Sequence, residues 1–187
     1  MTSTAAPRPS PAVLEIDGFA WQPARTSDAP ALEALAAQAT NRVLFGLPPS
    51  SEAFEAAVGG PGFRNAMLCW QDSMPIGAAS TGQRNLHSEN VRLTCFFAEP
   101  AAAALPLAAY VRHLFWRIPL HRVYCQFPLV ARGTQYGDLL KACGFREEGI
   151  IRGHALIGGN PYDVAVLGVL REEFDVWCRE NETRLAL

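Results

Sequence analysis

The feature that most constrains the fold lies between Leu120 and Leu170. There the chain reads as a strand (His121–Phe127), a helix closing on a Gly-Phe pair (Thr134 to Gly144-Phe145), a turn marked by Glu147, Glu148 and Gly149, then two further strands. Those strands cover Ile150–Ile157 and Val164–Leu170, with Tyr162-Asp163 opening the last. A strand, a helix of about three turns and a strand pair cannot each bury an apolar face alone, so the order predicts one mixed sheet with helices packed on it. Gly144 stands where a helix ends in the left-handed conformation, and Phe145 is placed to anchor the return into the core.

The upstream text extends the same plan. FAWQPARTSDAPALEALAAQA predicts a short strand from Phe19 and a helix capped by Ser27 or Asp28, with Leu32, Leu35 and Ala39 on one face. A second helical piece lies within Thr40–Gly62, with Ser50 or Ser51 as cap, and is broken by the glycines after Val58. Met67–Gln71 and Ile76–Gln83 read as a hairpin. Val91–Ala98 reads as a strand whose Cys95-Phe96-Phe97 run suits burial on both faces. Ala101–Arg117 reads as a helix in which Pro106 is tolerable only near the start, and a last helix starts at Glu172.

With 187 residues, 49% of them hydrophobic, the chain can build one large core. We expect residues 1–18 to be a disordered Pro- and Ala-rich tail and 19–187 a single domain. A net charge of −2 argues against a nucleic-acid partner, which would call for a basic face. The basic residues, all arginine except Lys141, are spread along the chain. Five cysteines without a C-x-x-C pair imply reduced thiols and a cytoplasmic protein. No apolar run reaches the ~20 residues of a membrane span, and residues 1–11 lack a signal-peptide core. Four scattered histidines predict no metal site.

This order of parts resembles the GNAT N-acetyltransferase superfamily, in particular the branch that acetylates ribosomal-protein N-termini and small-molecule amines. The resemblance implies an α/β (α+β) fold with a mixed, mostly antiparallel sheet of about six to seven strands flanked by helices. It also implies a V-shaped cleft where the fourth strand, Val91–Ala98, splays from the fifth, His121–Phe127. The implied reaction moves an acyl group from a thioester donor, coenzyme A or an acyl carrier protein, to the amine of a small molecule or peptide.

Two motifs of that family are altered. Its pyrophosphate loop, Gln/Arg-x-x-Gly-x-Gly/Ala, uses glycines and helix N-terminal amides to cradle phosphate. The corresponding segment here is AEPAAAALPLAAY, with no glycine between Gln83 and Arg132 and no basic residue between Arg92 and Arg112. The helix before Gly144-Phe145 carries Gly133 where the family has a pantetheine-binding Asn, and Leu140 where it has a Tyr general acid. Tyr136 lies one turn earlier. The alternative reading is therefore a GNAT-fold protein without coenzyme A binding, acting as a binding or regulatory module or catalysing another reaction in the same cleft.

The resemblance assigns candidate roles to particular residues. Glu99, at the end of the fourth strand, is either a general base for the amine or an acid at a helix start. Tyr136 and His154 are the other catalytic candidates, His154 equally readable as an edge or core histidine. Phe96, Phe97, Cys125, Gln126 and Gln135 would border the donor, with a buried structural thiol the alternative for Cys125. Asn41 and Arg42 fall in the segment that would close over the acceptor, where Arg42 could pair with an acidic group.

Overall fold

The computed structural model describes residues 14–37, 66–82, 85 and 87–181. Eight strands form one sheet in the order β1-β2-β3-β4-β5-β6-β8-β7. They are β1 (Leu14–Ile16), β2 (Phe19–Pro23), β3 (Met67–Gln71), β4 (Met74–Thr81), β5 (Asn90–Phe97), β6 (Arg122–Pro128), β7 (Arg146–Ile157) and β8 (Asn160–Leu170). The helices among the described residues are α1 (Ala29–Ala37), α2 (Ala104–Arg117), α3 (Ala131–Ala142) and α4 (Arg171–Glu180).

Every pairing is antiparallel except β5 with β6, which run parallel because α2 crosses over between them. The strand count exceeds the expected six to seven by the N-terminal β1, and this corrects the tail boundary. Leu14, Glu15 and Ile16 pair with Trp21, Ala20 and Phe19 around a turn in which Asp17 and Gly18 both take positive φ. Leu14 packs against the core, so a segment too short to fold alone is held by a neighbouring strand.

The core lies between the sheet and its helices. Trp21, Leu68, Leu93, Phe97, Leu107, Tyr110, Val111, Val123, Tyr136, Leu140, Leu167 and Phe174 belong to one buried cluster. Trp21 ties the first half of the sheet to α2: its indole N–H donates to the Pro106 carbonyl at 2.9 Å, and its ring stacks on Tyr110 at 4.7 Å between centroids. Pro106 stands in the first turn of α2, where its missing N–H costs no helical bond. Asp28 accepts from the Arg25 N–H at 2.8 Å and ends a short 3-10 turn, so α1 starts at Ala29, one residue after the expected cap.

Gly144, with φ +84, reverses the chain after α3: its N–H donates to the Lys141 carbonyl and the Phe145 N–H to that of Leu140. No helix among the described residues is long and apolar enough to cross a membrane.

Candidate functional site

The parallel ladder between β5 and β6 is short. Asn90, Val91 and Arg92 pair with Arg122, Val123 and Tyr124, and beyond them the two strands part. Each then follows its other neighbour: β5 stays paired with β4 through Phe97, and β6 with β8 through Pro128. Pro100 and Pro128, which cannot donate to a ladder, stand just past the end of β5 and at the end of β6. The splay expected between the fourth and fifth strands is therefore present, with its mouth at Phe97 and Pro128.

Backbone direction decides which groups face into it. Along an extended strand, successive peptide groups point to opposite edges. The Ala98 N–H donates to Ile76 of β4, and the Arg92 carbonyl accepts from Gly82, so the Phe97 peptide groups turn the other way, into the splay. They meet Tyr136. Its hydroxyl accepts from the Phe97 N–H at 2.9 Å and donates to the Phe97 carbonyl at 3.3 Å, with the residue 1% exposed.

Two glycines make this contact possible. A Cβ on Gly77 would stand 2.2 Å from the Phe97 ring, so the ring packs against the β4 backbone there, with Trp21 in an edge-to-face contact at 6.2 Å between centroids. On the opposite wall, a Cβ on Gly137 would stand 3.1 Å from the Phe127 ring; its absence lets α3 approach β6 and carry Tyr136 to the splay. The Tyr-Gly pair within a helix is the sequence signal for this approach.

Beneath Tyr136 three thiols gather on one face of the sheet. Cys125 of β6 contacts Cys95 of β5 through a thiol hydrogen bond, and Cys143 after α3 is their near neighbour, donating to the Ala104 carbonyl at 3.3 Å. Burial pushes the Cys125 thiol well above its ordinary range, and the Cys95 contact adds to it; burial likewise raises Cys143. Such thiols are packing groups rather than nucleophiles. Among the described residues no cluster of His, Cys, Asp or Glu is arranged to hold a metal.

The other candidate residues are dispersed. Phe96 is buried, and its alternation along β5 turns its peptide groups to β4. Gln126 is half-buried on the face of β6 opposite Cys125, and Gln135 is exposed one residue before Tyr136. Glu99 is exposed two residues beyond Phe97, its carbonyl accepting from Ala102 at 3.1 Å at the start of the turn into α2.

His154 is exposed in a bulge of β7, where Arg152, Gly153 and His154 stand between the pairs Ile151↔Val164 and Ala155↔Tyr162. At strand spacings of about 4.8 Å, β7 lies roughly 14 Å from β5, so His154 and Phe97 are not neighbours. Asp163 is structural: its carboxylate accepts from the Gly153 N–H and its carbonyl from that of Leu129. Asn41 and Arg42 lie outside the described residues.

The turn into α2 uses part of its own backbone donors. The Ala102 and Ala103 amides donate to the Glu99 and Pro100 carbonyls, Ala103 is 2% exposed, and Pro106 has no amide. A groove of about 500 Å³ lined by Lys141, Arg146, Glu173 and Trp177 lies between α3 and α4, away from the splay.

No family model matches this sequence, and no curated protein matches it by sequence. Its structure is similar to that of a GNAT-family acetyltransferase from Bacillus anthracis, at 13% identity and a TM-score of 0.69, over 85% of this chain and 98% of that one. It is similar to the spermidine N-acetyltransferase of Vibrio cholerae, solved with CoA and spermine, at 16% identity and TM-score 0.71, over 84% and 98%. A Salmonella typhimurium acetyltransferase that modifies the N-terminal serine of ribosomal protein L7/L12 matches at 16% and 0.70, over 82% and 95%. The fold is that of the GNAT acetyltransferases.

Proposed function

We propose that the chain is an acyltransferase that moves an acyl group from a thioester to an amine at the β5/β6 splay. The observation that carries this is the parting of the strands after Arg92 and Tyr124, with the Phe97 N–H and carbonyl turned into the gap. A narrow slot with a peptide edge on one wall suits an extended, amide-bearing arm carrying a thioester. Structures of the same fold were solved with CoA and with an amine acceptor, which supports this reading.

The residues present do not fit the pyrophosphate of coenzyme A. The Ala102 and Ala103 amides are used within the turn before α2, Pro106 has none, and no basic residue lies between Arg92 and Arg112 in the sequence. The donor is therefore recognised by its thioester and arm, which favours a donor with less phosphate: an acyl group on the arm of an acyl carrier protein, with coenzyme A bound weakly. Glu99, exposed at the mouth, takes the proton from the acceptor amine, a small molecule or peptide.

A second reading, a binding module without acyl transfer, is favoured by one contact. Tyr136 already satisfies both Phe97 backbone groups, so the slot is closed by the chain's own side chain. Transfer to a panel of amines, measured with acetyl-CoA and with an acetylated carrier protein, separates the two. We expect turnover with the carrier-borne thioester and an acetyl-CoA dissociation constant in the high micromolar range or weaker, because each lost charge-assisted phosphate contact costs roughly 1.5–3 kcal/mol. Low-micromolar acetyl-CoA binding would overturn the donor assignment. No transfer from any thioester by the folded protein would leave the binding module.

A further inference from the structure

The meeting of Tyr136 with Phe97 has the form of a filled binding site. In an extended strand the N–H and carbonyl of one residue face the same edge, and at Phe97 that edge borders the splay. A second strand, or an arm bearing amides, would fill the pair with a carbonyl and an N–H of its own. Tyr136 fills both with one hydroxyl, which accepts and donates at once. It comes from α3, 39 residues along the chain, and stands where the edge of a further strand would stand.

One oxygen does not serve two diverging groups equally well. The Phe97 N–H donates to it at 2.9 Å, an ordinary length, whereas the hydroxyl reaches the carbonyl only at 3.3 Å, beyond the usual O–H···O range. An arm with separate donor and acceptor atoms brings each to its own best distance. An arm with ether oxygens in place of amides has acceptors but no N–H, and leaves the carbonyl unserved. The Phe97 pair therefore ranks ligands by their polar edge, and the Tyr136 hydroxyl is the competitor each ligand must outbid.

We propose that Tyr136 is a displaceable plug that selects the donor: an amide-bearing arm takes over the Phe97 N–H and carbonyl, and the Tyr136 hydroxyl gives them up. An arm without amides leaves the slot shut. The inference rests on the splay being the donor slot. No covalent bond changes; two hydrogen bonds are exchanged for two. Only the fraction of molecules with the hydroxyl withdrawn accepts the arm, so the plug weakens apparent affinity by that fraction, and removing the hydroxyl restores it.

Calorimetry on the full chain and on Tyr136→Phe tests this with two phosphate-free probes, S-acetyl-pantetheine and the acetyl thioester of an oligoethylene glycol thiol of similar length. Acetyl-pantetheine should bind Tyr136→Phe about tenfold more tightly than wild type, and the ether arm should gain clearly less. In wild type labelled with fluorotyrosine, the fluorine resonance that Tyr136→Phe deletes should move on saturation with acetyl-pantetheine. An unmoved resonance, equal tightening of both arms, or no tightening at all would overturn the plug. If wild type still transfers acetyl from pantetheine to an amine, the acyltransferase reading outlives that result. Tighter binding by Tyr136→Phe with no transfer by either protein would keep the plug and remove the acyltransferase.

Discussion

The mouth of the splay and the outer edge of β7 treat exposed backbone in opposite ways. At the mouth, where β5 loses its neighbour, Tyr136 reaches across and bonds both polar groups of Phe97, and the Ala102 and Ala103 amides are used in the turn before α2. At β7 nine consecutive residues, Arg146 to His154, are exposed among the described residues. A buried polar group without a partner costs about 1–3 kcal/mol, whereas an exposed one is satisfied by water. The interior gap is thus closed by a side chain, and the exposed backbone of the outer strand is left to water.

The largest expected effect tests whether the closed mouth is still a working site. Glu99→Gln keeps the shape of the residue and removes its basicity. It should lower turnover about 10²–10⁴-fold with little change in melting temperature, measured as amine acylation beside thermal unfolding. Unchanged turnover with a shifted melting temperature would make Glu99 an acid at a helix start.

Gly77→Ala attacks the mouth through packing. The added methyl group displaces the Phe97 ring and should cost about 1–3 kcal/mol in chemical denaturation. A stability loss well under that range would mean that the ring has room to move.

Tyr136→Phe removes the hydroxyl and with it the two hydrogen bonds to the Phe97 N–H and carbonyl, at a cost of about 1–2 kcal/mol. That corresponds to a fall of roughly 2–8 °C in melting temperature for a chain of this size. If a thioester arm uses the Phe97 backbone, the same change tightens acetyl-pantetheine binding, read by calorimetry. Weaker binding together with lost turnover would instead assign Tyr136 a direct action on the donor.

The smallest effect belongs to the edge. Glu148→Gln removes the half-exposed ion pair with Arg122, 3.0 Å between Nε and Oε1, and should cost under about 1 kcal/mol, shrinking as salt is added. A cost comparable to that of Tyr136→Phe would show that β7 is held from within and would erase the contrast between the two regions.

Most of the element order was legible before the structure. The βαββ run from Leu120 to Leu170, the hairpin at Met67–Thr81 and the α2 stripe all follow from apolar periodicity and turn residues, which are local signals. β1 was not legible, because Leu14–Ile16 is a strand only by pairing with Phe19–Trp21. The site was legible in part: the family resemblance foretold the splay, and the missing glycines the altered loop. That Tyr136 meets Phe97, that Cys95 is the partner of Cys125, and that His154 stands strands away from both depend on how far β5, β6 and α3 travel before they meet.

Local pattern therefore determined which segments are strands and helices, since each needs an apolar face with the right period. It also determined that the loop before α2 lacks the glycines and cations of a phosphate cradle. Tertiary structure alone decided that a tyrosine 39 residues from Phe97 closes the gap in the sheet. It also decided that β7 is the outermost strand, because sheet order is set by the pairing of distant segments and no local run of residues encodes it.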